Sequence, residues 1–233
     1  MSNYKNGLAT RAALYQSARA CFYRKGYFDT SIQDIVDAAH SKLGLFVYHF
    51  ESKEAIANMV FREYVDLIRE TTRASIGEAE GREDLLLDDM LNYRGYFKGV
   101  LCNPQTAKFY VELSSTPGYL EQNFRLKEFY FRRLSSPQLV MNKCWRREDL
   151  GGVFVSIAAG MEIQLCRDIC VGNIKAPVED ALDIYLNTYY SLLVKNKRQV
   201  AECLKRSRKI MNQVEWQASD GFELQIVKSY TEA

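Results

Sequence analysis

Residues 30–56 read TSIQDIVDAAHSKLGLFVYHFESKEAI, and the spacing within this stretch decides the fold. Thr30 followed three positions later by Gln33 is a capping-box pattern, in which the hydroxyl takes the Gln33 amide and the Gln33 side chain reaches back. Ile32, Ile35, Val36 and Ala39 then recur at helical spacing, which predicts a short helix ending at Ala39. His40-Ser41 reads as a tight turn. Residues 42–49 read as a second short helix, with Phe46 and Phe50, four apart, anchoring it to a core. Ser52 caps a longer helix, and Glu54 falls in its first turn, where the helix dipole favours a carboxylate.

On the N-terminal side, Leu14, Ala18, Cys21 and Phe22 give one apolar helical face over about 8–25, and Gly26 supplies the positive-φ stop. On the C-terminal side nearly everything is helical. The long fourth helix reaches about residue 75, and a Gly- and Glu-rich loop covers 76–82. Helices follow over 83–101, 104–113, 119–134 and 147–171, with breaks at 115–118 and 135–137, a further segment to Trp145, and a last long helix from Pro177 to about 209. The tail 216–233 is ambiguous, with Leu224–Val227 its one strand-like run. The expected fold is all-α: residues 1–51 as a helix-turn-helix domain, 52–215 as a larger helical domain, and 216–233 as an uncertain tail.

Two short helices joined by a tight turn, with a third packing across them, is the helix-turn-helix plan, in which the second short helix enters the major groove of DNA. The same three helices would equally suit an ordinary bundle. Specificity comes from the combined residues. Phe22-x3-Gly26-Tyr27-x2-Thr30-Ser31-Ile32-x2-Ile35-Val36-x2-Ala39, continuing without a gap through Tyr48-His49-Phe50-x-Ser52-Lys53-Glu54-Ala55-Ile56, resembles the opening of the TetR family of bacterial transcription regulators. The resemblance covers roughly the first quarter of the chain. It implies a DNA-binding headpiece on a helical body that binds a small-molecule effector and forms a homodimer. It further implies a repressor released by an inducer from a palindromic operator in double-stranded DNA. DNA-contacting candidates are Thr30, Ser31, Lys42, Leu43, Gly44, Leu45, Tyr48, His49 and Lys53, with Arg11 in the same footprint. His40 stands where the family has Gly, a residue type that tolerates the left-handed region. Val47 stands at the family's phosphate-contacting Tyr, and Leu45 at a frequent Thr, from which it could meet a thymine methyl. Lys53 matches a phosphate-binding Lys.

Charge fits this reading without proving it. The chain has 233 residues, 47% hydrophobic and 26% charged, with a net charge of +2. Residues 1–60 hold seven Lys and Arg against five Asp and Glu. A basic run at 195–209 reads as a solvated helix face, with a second DNA contact as the alternative.

In the body, rings crowd together at Tyr93, Tyr96, Phe97, Phe109, Tyr110, Phe124, Phe129, Tyr130 and Phe131. They read either as core or as the wall of a ligand pocket, with Arg94, Glu112, Arg125, Glu162 and Gln164 as polar candidates. Glu162 either needs a buried partner or sits on a solvent face, the latter slightly favoured. Gly152, Ser156 and Gly160, four apart, line up small residues for close helix approach. With Ala181, Leu182, Tyr185, Thr188, Tyr189 and Leu192 of the last helix they suit a two-fold four-helix interface, or packing within one subunit.

The chemistry is that of a binding protein. Only two histidines, His40 and His49, are present, and there is no P-loop, GxGxxG or CxxC. This leaves no catalytic triad, metal site or cofactor motif, and the expectation is no enzyme and no cofactor. Six scattered cysteines and a polar N-terminus point to reduced thiols in a cytoplasmic protein with no membrane span. A helical enzyme or carrier on an inert headpiece, and a thiol sensor using Cys166 and Cys170, remain the competing functions.

Overall fold

The first helix, α1 (Ser2–Lys25), buries Leu14, Ala18, Cys21 and Phe22 as one stripe and stops at Gly26, whose φ is +85°. A Cβ there would lie 2.5 Å from a Glu112 carboxylate oxygen, so both the turn and the packing call for glycine. The chain continues through α2 (Ile32–Ala38), α3 (Leu43–Phe50) and α4 (Lys53–Ile76). His40 adopts φ +48° in the turn between α2 and α3, the left-handed conformation anticipated for it. Phe46 and Phe50 are buried beneath α3, their ring centroids 5.9 Å apart.

The computed structural model describes residues 2–77, 84–134, 141–142 and 148–231. Most of the loop expected at 76–82, the break at 135–137 and the segment through Trp145 lie outside the described residues, as do the side chains of Phe129 and Tyr130. The body comprises α5 (Leu85–Val100), α6 (Pro104–Leu113), α7 (Pro117–Leu134), α8 (Glu148–Cys170), α9 (Val178–Leu193) and α10 (Lys197–Met211). One apolar core runs from α1 through the body. The outcome is all-α save for one C-terminal hairpin.

Three local expectations are corrected. The capping box of α2 uses Ser31 and Asp34 instead of Thr30 and Gln33: Ser31 Oγ accepts from the Asp34 amide at 3.0 Å, and the Ser31 amide donates to Asp34 Oδ2 at 2.8 Å. The last helix is two. Val194 turns extended, Asn196 caps α10 by accepting from the Gln199 amide, and the Asn142 amide bonds Leu193 O in the gap. The tail forms an antiparallel hairpin, β1 (Glu215–Ser219) with β2 (Glu223–Lys228), in which Trp216 faces Ile226 and Ser219 faces Glu223.

That hairpin is built into the molecule. At its tip Gly221 and Phe222 have positive φ, and the Phe222 ring is buried against Tyr23 of α1, Tyr64 of α4 and Phe109 of α6, with centroids 5.0–5.4 Å apart. Arg19 donates to Gly221 O at 2.6 Å and pairs with Glu223 at 2.9 Å. Trp216 Nε1 donates to Ser75 Oγ, and the Tyr230 amide to Ser75 O.

Candidate functional site

α3 stands with Phe46 and Phe50 inward and the rest of its surface open. Lys42, Leu43, Gly44, Leu45, Val47 and Tyr48 are exposed, while His49 is half-buried, its ring 4.9 Å from that of Tyr48. Arg11 of α1 is exposed beside it, its guanidinium 5.3 Å above the Phe50 ring. Ser31 is exposed at the N-terminus of α2, its hydroxyl engaged in the cap.

Two of the expected DNA contacts are placed differently. Thr30 is fully buried and its hydroxyl donates to Gly26 O at 2.7 Å, so the side chain holds the α1–α2 turn and is closed to a phosphate. Lys53 turns inward: Nζ donates to Tyr27 O at 2.9 Å and Thr30 O at 2.8 Å, and lies 4.3 Å from the centre of the Tyr27 ring. Partial burial lowers its pKa. With two of three N–H groups committed, its first role is to fasten α4 to the α1–α2 turn.

Between α4, α5, α7 and α8 the body holds a pocket of about 250 Å³ that opens to solvent past Arg62, Asp66 and Gln122. Phe61, Tyr93, Tyr96 and Tyr119 supply rings, and Asn58, Asn92, Asn123, Asp89, Lys127 and Glu162 supply polar groups. Glu162 is buried after all, because Lys127 pairs with it; Lys127 also donates to the Tyr93 hydroxyl at 2.7 Å. Burial works against the Lys127 charge, but Glu162 outweighs it and the net pKa is raised. Burial likewise keeps Tyr93, Tyr96 and Tyr119 neutral. Asn92 Oδ1 and Asn123 Nδ2 are buried with no hydrogen-bond partner, among the described residues the two cavity-lining side chains so placed.

Of the predicted pocket, Tyr93, Tyr96 and Glu162 line the cavity, and the others whose side chains are described do not. Arg94 leaves on the opposite side of α5, donating to Ser207 at 3.0 Å and Glu179 at 2.8 Å and pairing with Asp183, so it ties α5 to α9 and α10. Phe97 packs on Tyr185, and Phe109 on Phe22 and Phe222. Tyr110 sits behind the wall against Phe61, Tyr96 and Tyr119. Glu112 accepts from the Phe28 amide at the headpiece junction. Phe124 and Arg125 face solvent, Arg125 pairing with Glu121, and Gln164, also exposed, donates to Asp168. Sequence reasoning missed Asn58, Asn92, Asn123 and Lys127. The signal was three amides and a lysine on otherwise apolar helix faces.

The outer face of α8 and α9 is exposed and apolar: Val153, Ser156, Ile157 and Gly160 on α8, Ile184, Thr188 and Leu192 on α9, with Gly152 alongside. Ala181, Leu182, Tyr185 and Tyr189, expected on this face, are buried in their own protomer, since they lie on the inward side of α9. Cys166 is buried and Cys170 half-buried. Burial pushes both thiols up, Cys170 to about 11, so neither is a thiolate at neutral pH. Among the described residues no three His, Cys, Asp or Glu side chains cluster as metal ligands, and no helix is long and apolar enough to cross a membrane.

The chain thus combines a helix-turn-helix headpiece with a helical body that carries a pocket. Residues 14–60 match the profile of the bacterial regulatory proteins of the tetR family. It is 29% identical over 91 residues to the HTH-type transcriptional repressor DhaR of Mycobacterium sp. (strain GP1), a match spanning 39% of this chain and 43% of that protein. Its fold is similar to that of a protein described as a tetR family transcription regulator from Shewanella sp. PV-4, at 15% identity, TM-score 0.54, over 79% of this chain and 98% of the other. It is also similar to tylp, a TetR regulator from Streptomyces fradiae, at 17% identity, TM-score 0.51, over 87% and 96%.

Proposed function

We propose that the protein is a ligand-responsive transcription regulator, a repressor that binds a palindromic operator as a homodimer and leaves it when a small molecule fills the body cavity. The observation that carries this reading is α4. Its first residue, Lys53, grips the α1–α2 turn, and further along the same helix Asn58, Phe61, Arg62, Val65, Ile68 and Arg69 line the cavity. Residues 1–51 act as the DNA-binding headpiece, with Lys42, Tyr48, Arg11 and the amide end of α2 nearest the DNA. Residues 52–215 sense the effector and dimerise. The exposed faces of α8 and α9 from two protomers would form a four-helix interface, placing two copies of α3 about 34 Å apart.

Regulation is a shift of population. An effector that fits the cavity better in one setting of α4 favours that setting and changes the separation of the two α3 helices; one with equal affinity for both settings does nothing. The pocket suits a ring-bearing molecule: its rings are neutral, its buried Lys127 and Glu162 are paired with each other, Asp89 accepts from the Tyr190 hydroxyl, and two amide atoms await a donor and an acceptor. No arrangement of groups for catalysis supports an enzyme reading, and the cytoplasm is the compartment in which such a regulator meets DNA.

Selection of binding sites from a random duplex library at physiological salt tests the proposal. A two-fold palindrome should be enriched, and Lys42→Ala and Tyr48→Ala should weaken its binding. Binding with no sequence preference, unchanged by both variants, would overturn the reading.

A further inference from the structure

The face that α3 presents is chemically unusual for a reader of base edges. At 100° per residue, Tyr48 stands at its crest, with Gly44 one turn before it, Leu45 on one flank and Val47 on the other, while Leu43 falls within about 20° of Phe50 on the far side. Leu43 is 52% exposed, Leu45 40%, Val47 51% and Tyr48 80%. The tyrosine hydroxyl is the one side-chain hydrogen-bonding group on that crest. Lys42 precedes the helix, and His49 is half-buried against Tyr48. Hydrogen-bonded readout of guanine calls for Arg or Lys, and of adenine for Asn or Gln; α3 carries none of these between Leu43 and Phe50. The major groove offers apolar side chains one base-specific partner, the C5 methyl of thymine. Two exposed aliphatic side chains flanking the crest, Leu45 and Val47, kept open while Phe46 and Phe50 bury the far side, match that partner. Gly44 adds no side chain and lets the helix approach closely.

We propose that this protein selects its half-site through thymine methyl groups packed against Leu45 and Val47, with hydrogen bonding to base edges confined to Tyr48 and the helix ends. The inference rests on the DNA-binding reading above. Phosphate contacts from Arg11 and Lys42 set affinity and register without selecting sequence.

The test starts from the enriched palindrome and replaces its thymines one at a time with deoxyuridine, which removes the methyl and leaves every hydrogen-bonding group. At each thymine read by α3, affinity should fall about fourfold, as for one buried methylene-sized group. The salt dependence should stay unchanged, because no phosphate contact is altered. Leu45→Ala and Val47→Ala should each erase the uracil penalty at one position in every half-site. An enriched palindrome whose affinity is indifferent to every uracil, or whose half-sites lack thymine, would overturn the methyl readout and leave the regulator standing. No enriched sequence at all, with binding insensitive to the aliphatic variants, would overturn both.

Discussion

Two lysines show how differently the headpiece and the body handle a desolvated charge. Each ammonium lies against a tyrosine ring: Lys53 at 4.3 Å from Tyr27, Lys127 at 4.5 Å from Tyr93. Lys53 has neutral partners, two backbone carbonyls, and partial burial lowers its pKa. Lys127 has a carboxylate, Glu162, which overcomes a deeper burial and raises it. The headpiece clamp is therefore held by hydrogen bonds that no single side chain can replace or mirror. The cavity floor is held by a charge pair that stands or falls together. A joint that must loosen when an effector binds is better made the first way, and a wall that must keep its shape the second.

The sharpest test of that contrast is at the pair. Glu162→Leu should cost about 3–5 kcal/mol, since it strands a buried ammonium, whereas Lys127→Met with Glu162→Leu should return to near wild-type stability. Urea unfolding of the three proteins measures both, and a double variant as weak as the single would show that the pair is not the unit. Lys53→Met should cost less, about 1.5–3 kcal/mol, with no second-site side chain able to restore it. Because the Lys53 ammonium is committed to carbonyls, this variant should also weaken binding to all duplexes while leaving the slope of log affinity against log salt nearly intact. Lys42→Ala should reduce that slope by about 1. A drop of about 1 for Lys53→Met as well would return Lys53 to the phosphate.

The smallest effect is in pH. The raised pKa of Lys127 gives stability that is full below the unfolded value of about 10.4 and is lost as pH rises through the folded value. The lowered pKa of Lys53 works the other way. Its contribution is fullest above the unfolded value and is lost as pH falls through the folded one. Between about pH 9 and 11, the stability of the wild type should therefore fall relative to Lys127→Met and rise relative to Lys53→Met. Like-signed differences would remove the distinction between the two sites.

The headpiece was legible because its determinants are local. Gly26, His40, Ser52 and the Phe46–Phe50 pair act within a few residues of themselves, and each does what its spacing predicts. Where local reasoning failed there, two neighbours offered the same chemistry: Thr30 and Ser31 are both hydroxyls three before an acceptor, and burial of Thr30 decided between them. The body was legible as helices and opaque as a site. Arg94 and Tyr93 are adjacent in sequence, yet one faces α9 and α10 and the other the cavity. Only the packing of distant helices sets which is which. Lys127 and Glu162 are 35 positions apart, and neither announces the other. The hairpin carries a local signal of its own, Asp220-Gly221 between its two strands.

The seating of Phe222 sets an order in time. Arg19 and Gly221, which the fold brings into contact, are 202 positions apart. Chains are made from the N-terminus at about 5–20 residues per second, so α1 waits on the order of 10–40 s for the ring that covers its Tyr23 and the facing Tyr64 and Phe109. During that interval α1–α4 have been synthesised while Tyr23, Tyr64 and Phe109 lack the Phe222 ring that packs on them. Birth on the ribosome thus separates the appearance of these helices from the seating of Phe222. Closure of this aromatic face therefore waits on a segment 202 positions beyond Arg19.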